Sequence, residues 1–332
     1  MSYLYYILGF SITLFALCDL IWTTLWVDGG AGPLSKTVAQ LTWKITEKLT
    51  YRKKDYFTIV GPVILVVTLL TWVFFMWLGI TLFYSGDPQS IINTQGGGPI
   101  MWYERMYFTG YTIFTLGLGD YSPQPGFWQI ITAFSSGIGI MFLTLGASYV
   151  INVVGAVGQK RSFARSITGL GMSSEDILRS AWNGKDFHQM DLVLMNAASS
   201  ISTLTQQHQA YPLLHYYHSK TPEEASTVGV AILDDLLTML CFGLEDKDSV
   251  NTILVYESRS SIETYLETLT SAFVQPSEEE PVRPDIRKLG ETSIPFVEQD
   301  EFTKQLDKLT MRRKKLLGAV KSDNHDWPKH ID

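Results

Sequence analysis

The sequence predicts an all-α membrane protein: three transmembrane helices plus a re-entrant half-helix with an extended segment, followed by an all-α polar domain. Three observations carry this. Residues 3–27, 56–86 and 127–159 are apolar runs with one charge between them, Asp19, and about 20 residues suffice to cross roughly 30 Å of hydrocarbon. Charge is split along the chain, with 14 of the Lys, Arg, Asp and Glu residues before position 160 and 45 from there on, so one part belongs in lipid and the other in water. Between the second and third runs, residues 101–128 are too apolar for a surface loop and too short to cross and return as helices.

The first run is read as a retained helix rather than a secretory signal, because no Lys or Arg precedes it. Basic residues accumulate on the cytoplasmic side of membrane segments. They are Lys36, Lys44, Lys48, Arg52, Lys53 and Lys54 between the first two runs, and Lys160, Arg161 and Arg165 after the third. The loop between runs two and three has only Arg105. The N-terminus is therefore placed outside and the C-terminal domain in the cytoplasm of a cell-membrane, multi-pass protein. After the breaker GGAGP (29–33), apolar Val38, Leu41, Trp43, Ile45 and Leu49 mix with lysines. This predicts an amphipathic interfacial helix whose lysine heads face anionic lipid. The expected divisions are 1–27 (extra N-terminal helix), 28–55 (interfacial helix), 56–160 (membrane domain), 161–274 (helical domain) and 275–332 (charged linker and C-terminal amphipathic helix).

In the tail, start and stop signals predict a helix opened by Ser173 and Ser174 and ended by Gly184, then helices over about 186–210 and 249–273. Thr221, Pro222, Glu223 and Glu224 read as a capping box opening a helix that runs to Phe242. The proline-rich stretch 275–285 reads as a mobile arm leading to one helix over 298–320, with a basic cluster at 312–315. The net charge of −7 lies wholly in this half, which has 19 basic and 26 acidic residues, so no basic face suited to nucleic acid is expected.

The segment 101–128 carries the chemistry. A half-helix over 101–114 is followed by Thr115-Leu116-Gly117-Leu118-Gly119, and Asp120 then emerges into water. Non-helical backbone at membrane depth is tolerated only where protein buries it or water and ions line it. Alternate glycines let successive carbonyls turn to one axis, where they can replace an ion's hydration shell. The segment resembles the pore loop of the potassium channel superfamily, with filter T-V-G-Y-G-D, and is similar above all to the T-I-G-L-G-D-Y of second pore loops in two-pore-domain potassium channels. The resemblance covers about residues 56–165, with the first helix as an addition to a two-transmembrane plan.

The resemblance implies K+ coordination by Thr115, Leu116, Gly117 and Leu118, with Gly119 completing the filter and Asp120 supporting it. It implies an inner helix over the third run with a gating hinge at Gly139 or Gly137; close packing against a neighbouring helix is the equal alternative. An apolar gate would fall at 150–154. Leu118 stands where most members have Tyr, removing one side-chain bond to the pore helix, and Phe114 stands where many have Thr. Four copies of the filter complete the cage, which predicts a homotetramer.

Other candidates are weaker. Asp19 is read as reaching the interface or bonding Thr23, Thr24 or a basic residue of the following loop. His208, His215 and His218 are candidates for a metal or proton-sensing group, with Pro212 breaking their spacing. Asp246, Asp248 and Glu257 fall at EF-hand positions, but Val250 and Asn251 replace needed residues, so a capped turn is expected. Gly169-Leu170-Gly171 lacks a dinucleotide-binding pattern. The cluster 312–315 is either an anionic-lipid contact or a solvated helix end. No enzyme motif is present, and no cofactor is expected beyond K+ in the filter. The function expected is a potassium-selective tetrameric channel gated through its helical domain. The alternatives are a weakly selective or sodium-permeable cation channel, and a membrane-anchored helical adaptor with a non-conducting pore segment.

Overall fold

The computed structural model describes residues 2–27, 30–50, 54–96, 98–272, 274–290 and 292–328. Gly29, Arg52, Lys53 and Phe273, which figure in the sequence reading, lie outside the described residues. The chain divides into two units, Met1–Leu49 with Pro62–Val153, and Thr50–Gly61 with Val154–Asp332.

The first unit draws on α1 (Ser2–Leu25), α2 (Pro33–Thr50), α3 (Lys54–Ser85), α4 (Trp102–Ile113) and α5 (Phe127–Thr168), with a two-stranded ribbon of β1 (Ile91–Asn93) and β2 (Tyr121–Pro123). Three of its helices are long and apolar enough to cross a membrane, α1, α3 from Phe57, and α5. The chain is thus an all-α membrane protein. α1 docks on α3 through Tyr6 and Phe83, whose rings meet edge to face at 5.2 Å.

Asp19 is the polar centre of that contact. It is buried, and every neighbour donates to it. Leu34 N reaches Oδ1 at 2.8 Å. Ser35 N and Trp72 Nε1 reach Oδ2 at 3.1 and 2.8 Å, and the Ser35 hydroxyl bonds the same oxygen. Leu34 and Ser35 open α2, whose first N–H groups have no partners within the helix. Asp19 therefore caps α2 from α1 while holding α3. Among the described residues the expected partners, Thr23, Thr24 or a basic residue, do not bond it: Thr24 bonds Leu20 O and Thr23 reaches Ser35 Oγ at 3.1 Å.

The second unit is built around α8 (Ser226–Phe242), where every residue from Ser226 to Leu240 is buried. α7 (Asp191–Ala210) and α9 (Thr252–Ala272) lie beside it and run parallel, as the bonds Asn251–Asp191, Ser258–Leu194 and Gln209–Thr268 show. α5 contributes Ala156, Val157, Lys160, Phe163, Ala164 and Ile167 as a buried stripe at three- and four-residue spacing. α6 (Ser174–Ala181) is capped as expected, with Asp176 N donating to Ser173 Oγ at 3.1 Å. At Lys247–Ser249 the expected capped turn is present, Asp246 accepting from Asp248 N at 2.9 Å.

Several expectations for this unit are corrected. α7 starts at Asp191, after a 3-10 turn over His188–Met190, later than the expected 186. The Thr221 capping box does not form: Pro222–Glu224 is a single 3-10 turn and α8 opens at Ser226 without a side-chain cap, because Glu224 is turned to Arg165 and its carbonyl to Ser219. The stretch 275–285 is no free arm. Pro281 and Pro284 are buried, and Ser277 N donates to Lys314 O at 2.9 Å.

The last helix is two, α10 (Gln299–Lys308) and α11 (Thr310–Ser322), broken at Leu309 so that both Phe302 and Leu316 reach the core. The two arginines of the basic cluster are turned into the core rather than to solvent or lipid: Arg313 is buried against Asp235 and Arg312 bonds Asp234 at 2.6 Å, while Lys314 and Lys315 remain half-exposed. Removing one partner of such a buried pair costs about 3–5 kcal/mol.

Candidate functional site

The site is built from α4 outward, within the first unit. At the start of α4, Glu104 accepts from Met101 N at 2.6 Å, and buried Arg105 holds the preceding loop by donating to Ile100 O (2.9 Å) and Pro88 O (3.0 Å). α3 fixes the helix along its length: Trp77 Nε1 donates to Met106 O at 2.8 Å and the Thr81 and Thr109 hydroxyls meet at 2.7 Å. The last turn tightens through Phe114 N to Gly110 O (3.0 Å), Thr115 N to Thr112 O (3.2 Å) and Leu116 N to Tyr111 O (2.8 Å).

The backbone then alternates. Thr115, Gly117 and Gly119 have φ of 58°, 59° and 85°, while Leu116 and Leu118 keep negative values. In a strand successive carbonyls point to opposite sides; alternation of handedness turns them to the same side. Glycine takes positive φ without penalty, whereas Thr115 is held there against its side chain. Among the described residues the carbonyls of Thr115, Leu116, Gly117 and Leu118 accept no hydrogen bond. The Gly119 carbonyl is different, accepting from Thr94 Oγ1 at 2.8 Å, and Asp120 O accepts from Thr94 N at 3.0 Å. Leu116 and Leu118 are 64% and 56% exposed in the single chain.

A brace behind this segment was missed by sequence reasoning. Tyr107 OH donates to Asp120 Oδ2 at 3.1 Å, Tyr111 OH donates to Tyr121 O, and Tyr121 OH donates to Glu104 Oε1 at 2.5 Å. The signal was available: Tyr107 and Tyr111 are four apart and share a face of α4. The hydrogen bond to Glu104 pushes the Tyr121 phenol up to about 12 and holds the Glu104 carboxyl below its ordinary range, helped by Met101 N. β2 pairs antiparallel with β1, Asn93 facing Tyr121, which fixes the exit of the segment. These contacts tie α4 to the exit where Leu118 supplies no phenol.

Behind α4 lies α5. A Cβ on Gly139 would sit 2.0 Å from Ile113 O, so this residue packs closely on the end of α4, the alternative weighed beside a hinge, whereas Gly137 faces open space. The three candidate histidines lie in the second unit. His208 Nδ1 donates to Leu204 O (2.9 Å), His218 Nδ1 pairs with Asp323 Oδ1 (2.8 Å), and the His215 and His218 rings lie 6.4 Å apart. Among the described residues no three His, Cys, Asp or Glu side chains gather as a metal ion requires.

Residues 63–156, from within α3 to within α5, match the family described as Ion channel. The chain is 39% identical over 324 residues, 98% of its own length and 95% of the relative's, to the uncharacterized membrane protein YdjJ of Bacillus subtilis (strain 168). The chain belongs to this family of membrane proteins and carries an ion-channel domain. No solved structure matches it. The channel domain contains α4, the alternating segment, its brace and Gly139, and leaves out α1, α2 and nearly all of the second unit.

Proposed function

We propose that the protein is a potassium-selective channel, a homotetramer in the cell membrane with its N-terminus outside and its second unit in the cytoplasm. The observation that carries this reading is the alternation of φ through residues 115–119, which leaves four successive carbonyls without partners among the described residues. Four chains set the carbonyls of Thr115, Leu116, Gly117 and Leu118 around one axis, where they take the place of water around dehydrated K+. The exposed Leu116 and Leu118 side chains are then covered by neighbouring copies. Asp120, held by Tyr107, and the Tyr111–Tyr121–Glu104 contacts keep the filter from widening despite the leucine at 118. Potassium passes down its gradient, and no enzymatic step or further cofactor is involved.

α5 lines the conduction path. Gly137 and Gly139 supply the bend, and the apolar ring at 150–154 closes the path by dewetting. α2 lies in the interface, with exposed Leu41 and Ile45 (54% and 57%) toward acyl chains, and Lys44 and Lys48, on the same face, extending their stems along it to reach anionic headgroups. Potassium flux into liposomes containing the purified chain tests the reading, together with reversal potentials in opposed potassium and sodium gradients. Gly117→Ala places a Cβ at φ 59° and abolishes flux. A reversal potential indifferent to which cation is present would leave a weakly selective pore; absence of flux from the intact tetramer would leave the adaptor.

A further inference from the structure

Among the described residues, hydrogen bonds fasten the alternating segment at its two ends and not between them. At the inner end Thr115 N donates to Thr112 O (3.2 Å) and Leu116 N to Tyr111 O (2.8 Å). The N–H groups of Gly117, Leu118 and Gly119 donate no hydrogen bond among the described residues, and the carbonyls of Gly117 and Leu118 accept none. Leu118 has no polar side-chain atom with which to bond α4. Where the outer end is held therefore sets the spacing of the middle carbonyls.

That end is held by Thr94, which comes from the loop ahead of α4. Its hydroxyl hydrogen is shared between Gly119 O at 2.8 Å and Asp120 O at 2.9 Å, and its N–H reaches Asp120 O at 3.0 Å. Tyr107 bonds the side chain of Asp120, whereas Thr94 grips the main chain of both residues.

Thr94 is placed in turn by buried and paired neighbours. Ser90 and Ile91 are 0% and 2% exposed. Ser90 Oγ donates to Tyr84 O at 2.7 Å, and Gln124 N donates to Ser90 O at 3.0 Å. Asp87 accepts from Gln89 N at 2.8 Å and from Trp128 Nε1 at 3.0 Å, which joins the loop to the start of α5. Asn93 faces Tyr121 across the ribbon, and its Oδ1 accepts from Gln95 N at 2.9 Å. The hydroxyl thus reaches the Gly119 carbonyl on a support that runs from the end of α3 to the start of α5.

We propose that Thr94 is a positioning residue for cation selectivity: it fixes the outer end of the suspended segment and so holds the Gly117 and Leu118 carbonyls at the spacing K+ requires. The consequence for selectivity rests on the channel reading above; the fastening itself does not. Released at that end, the two carbonyls close more readily on a smaller ion, so Na+ gains on K+. Thr94 is exposed in the single chain, so its hydroxyl takes water in exchange when it lets go, and the effect is that of one neutral hydrogen bond, about fivefold.

The test uses the full chain in liposomes and compares the parent with two variants. Thr94→Val keeps the branched shape and the N–H but lacks the hydroxyl; Thr94→Ser restores the hydroxyl on a smaller side chain. Two readouts are followed: the sodium-to-potassium permeability ratio from reversal potentials, and hydrogen exchange of the backbone amide at position 94, corrected for intrinsic rates. Thr94→Val is expected to raise the ratio about fivefold and to speed the exchange by a similar factor, with Thr94→Ser close to the parent in both. A residue that only stabilised the fold would alter yield or unfolding without moving the ratio. An unchanged ratio in Thr94→Val beside faster exchange would overturn the role in selectivity. Equal exchange in all three proteins would overturn the fastening whatever the flux. Faster exchange in Thr94→Val with no flux from the parent would support the fastening and remove the channel reading.

Discussion

Replacing Asp19 by Leu tests whether a single carboxylate organises the first unit. The side chain accepts from Leu34 N, Ser35 N, Ser35 Oγ and Trp72 Nε1. Leucine accepts nothing. The Ser35 hydroxyl keeps Thr23 as a neighbour at 3.1 Å, and Leu34 N is only partly buried, so two donors are stranded in full, Ser35 N and Trp72 Nε1. An unsatisfied buried donor costs about 1–3 kcal/mol, and loss of a helix N-cap about 1 kcal/mol. Together these place Asp19→Leu at about 4 kcal/mol, within the range for breaking a buried polar network.

Asp19→Asn retains one acceptor oxygen but sets its amide against donors, and is expected to lose about half as much. The measurement is denaturant unfolding of the purified chain in mild detergent, followed by helical circular dichroism and by tryptophan emission. If Asp19→Leu unfolds within about 0.5 kcal/mol of the parent, the capping argument is refuted, since that is the range of a surface substitution.

Gly139→Ala would press a Cβ to 2.0 Å from the Ile113 carbonyl and, on the channel reading, flux should be lost, while Gly137→Ala, with open space beside it, should leave the elution of the purified protein on size-exclusion chromatography unchanged. Arg313→Met removes the guanidinium that Asp235 faces in the core and should cost about 3–5 kcal/mol in chemical unfolding of the second unit, whereas the double change with Asp235→Leu should recover most of it. Thermal stability should fall with acid: His208 is neutral in both states above 6.5, and below it the unfolded chain gains a proton that the folded chain refuses until about 4. That costs about 1.4 kcal/mol per pH unit, so a melting temperature unchanged between pH 7 and 5 would contradict the burial argument. Asp323 works in the opposite window, contributing above its ordinary 3.8 and lost only in stronger acid.

The parts of this molecule that were legible in the sequence are those whose physics is local. Apolar length placed α1, α3 and α5, and α4 lies at Trp102–Ile113 where a half-helix over 101–114 was expected. Two glycines one residue apart, with an aromatic helix before them, marked the alternating backbone. What escaped depends on partners far along the chain. Arg312 and Arg313 read as surface until Asp234 and Asp235, 78 residues earlier, are seen to face them. The helix break at Leu309 follows from where the core lies, because nothing in its own residue type stops a helix. Likewise Thr221 is a good cap in sequence, yet its box lost Glu224 to Arg165. The ribbon of β1 and β2 is three residues a side, too short for alternation to register.

The burial of α10 and α11 has a consequence for biosynthesis. Phe302, Leu306, Leu316 and Val320 complete an interior whose centre, α8, emerges some 60 to 90 residues sooner. A ribosome that has threaded all the membrane helices into the bilayer is still holding back the pieces that seal the second unit. During that interval the side of α8 that α11 later covers is open to water, a state prone to sticking. Early stop codons or bulky C-terminal fusions should therefore reduce yield of the whole protein, even though the membrane segments upstream are untouched.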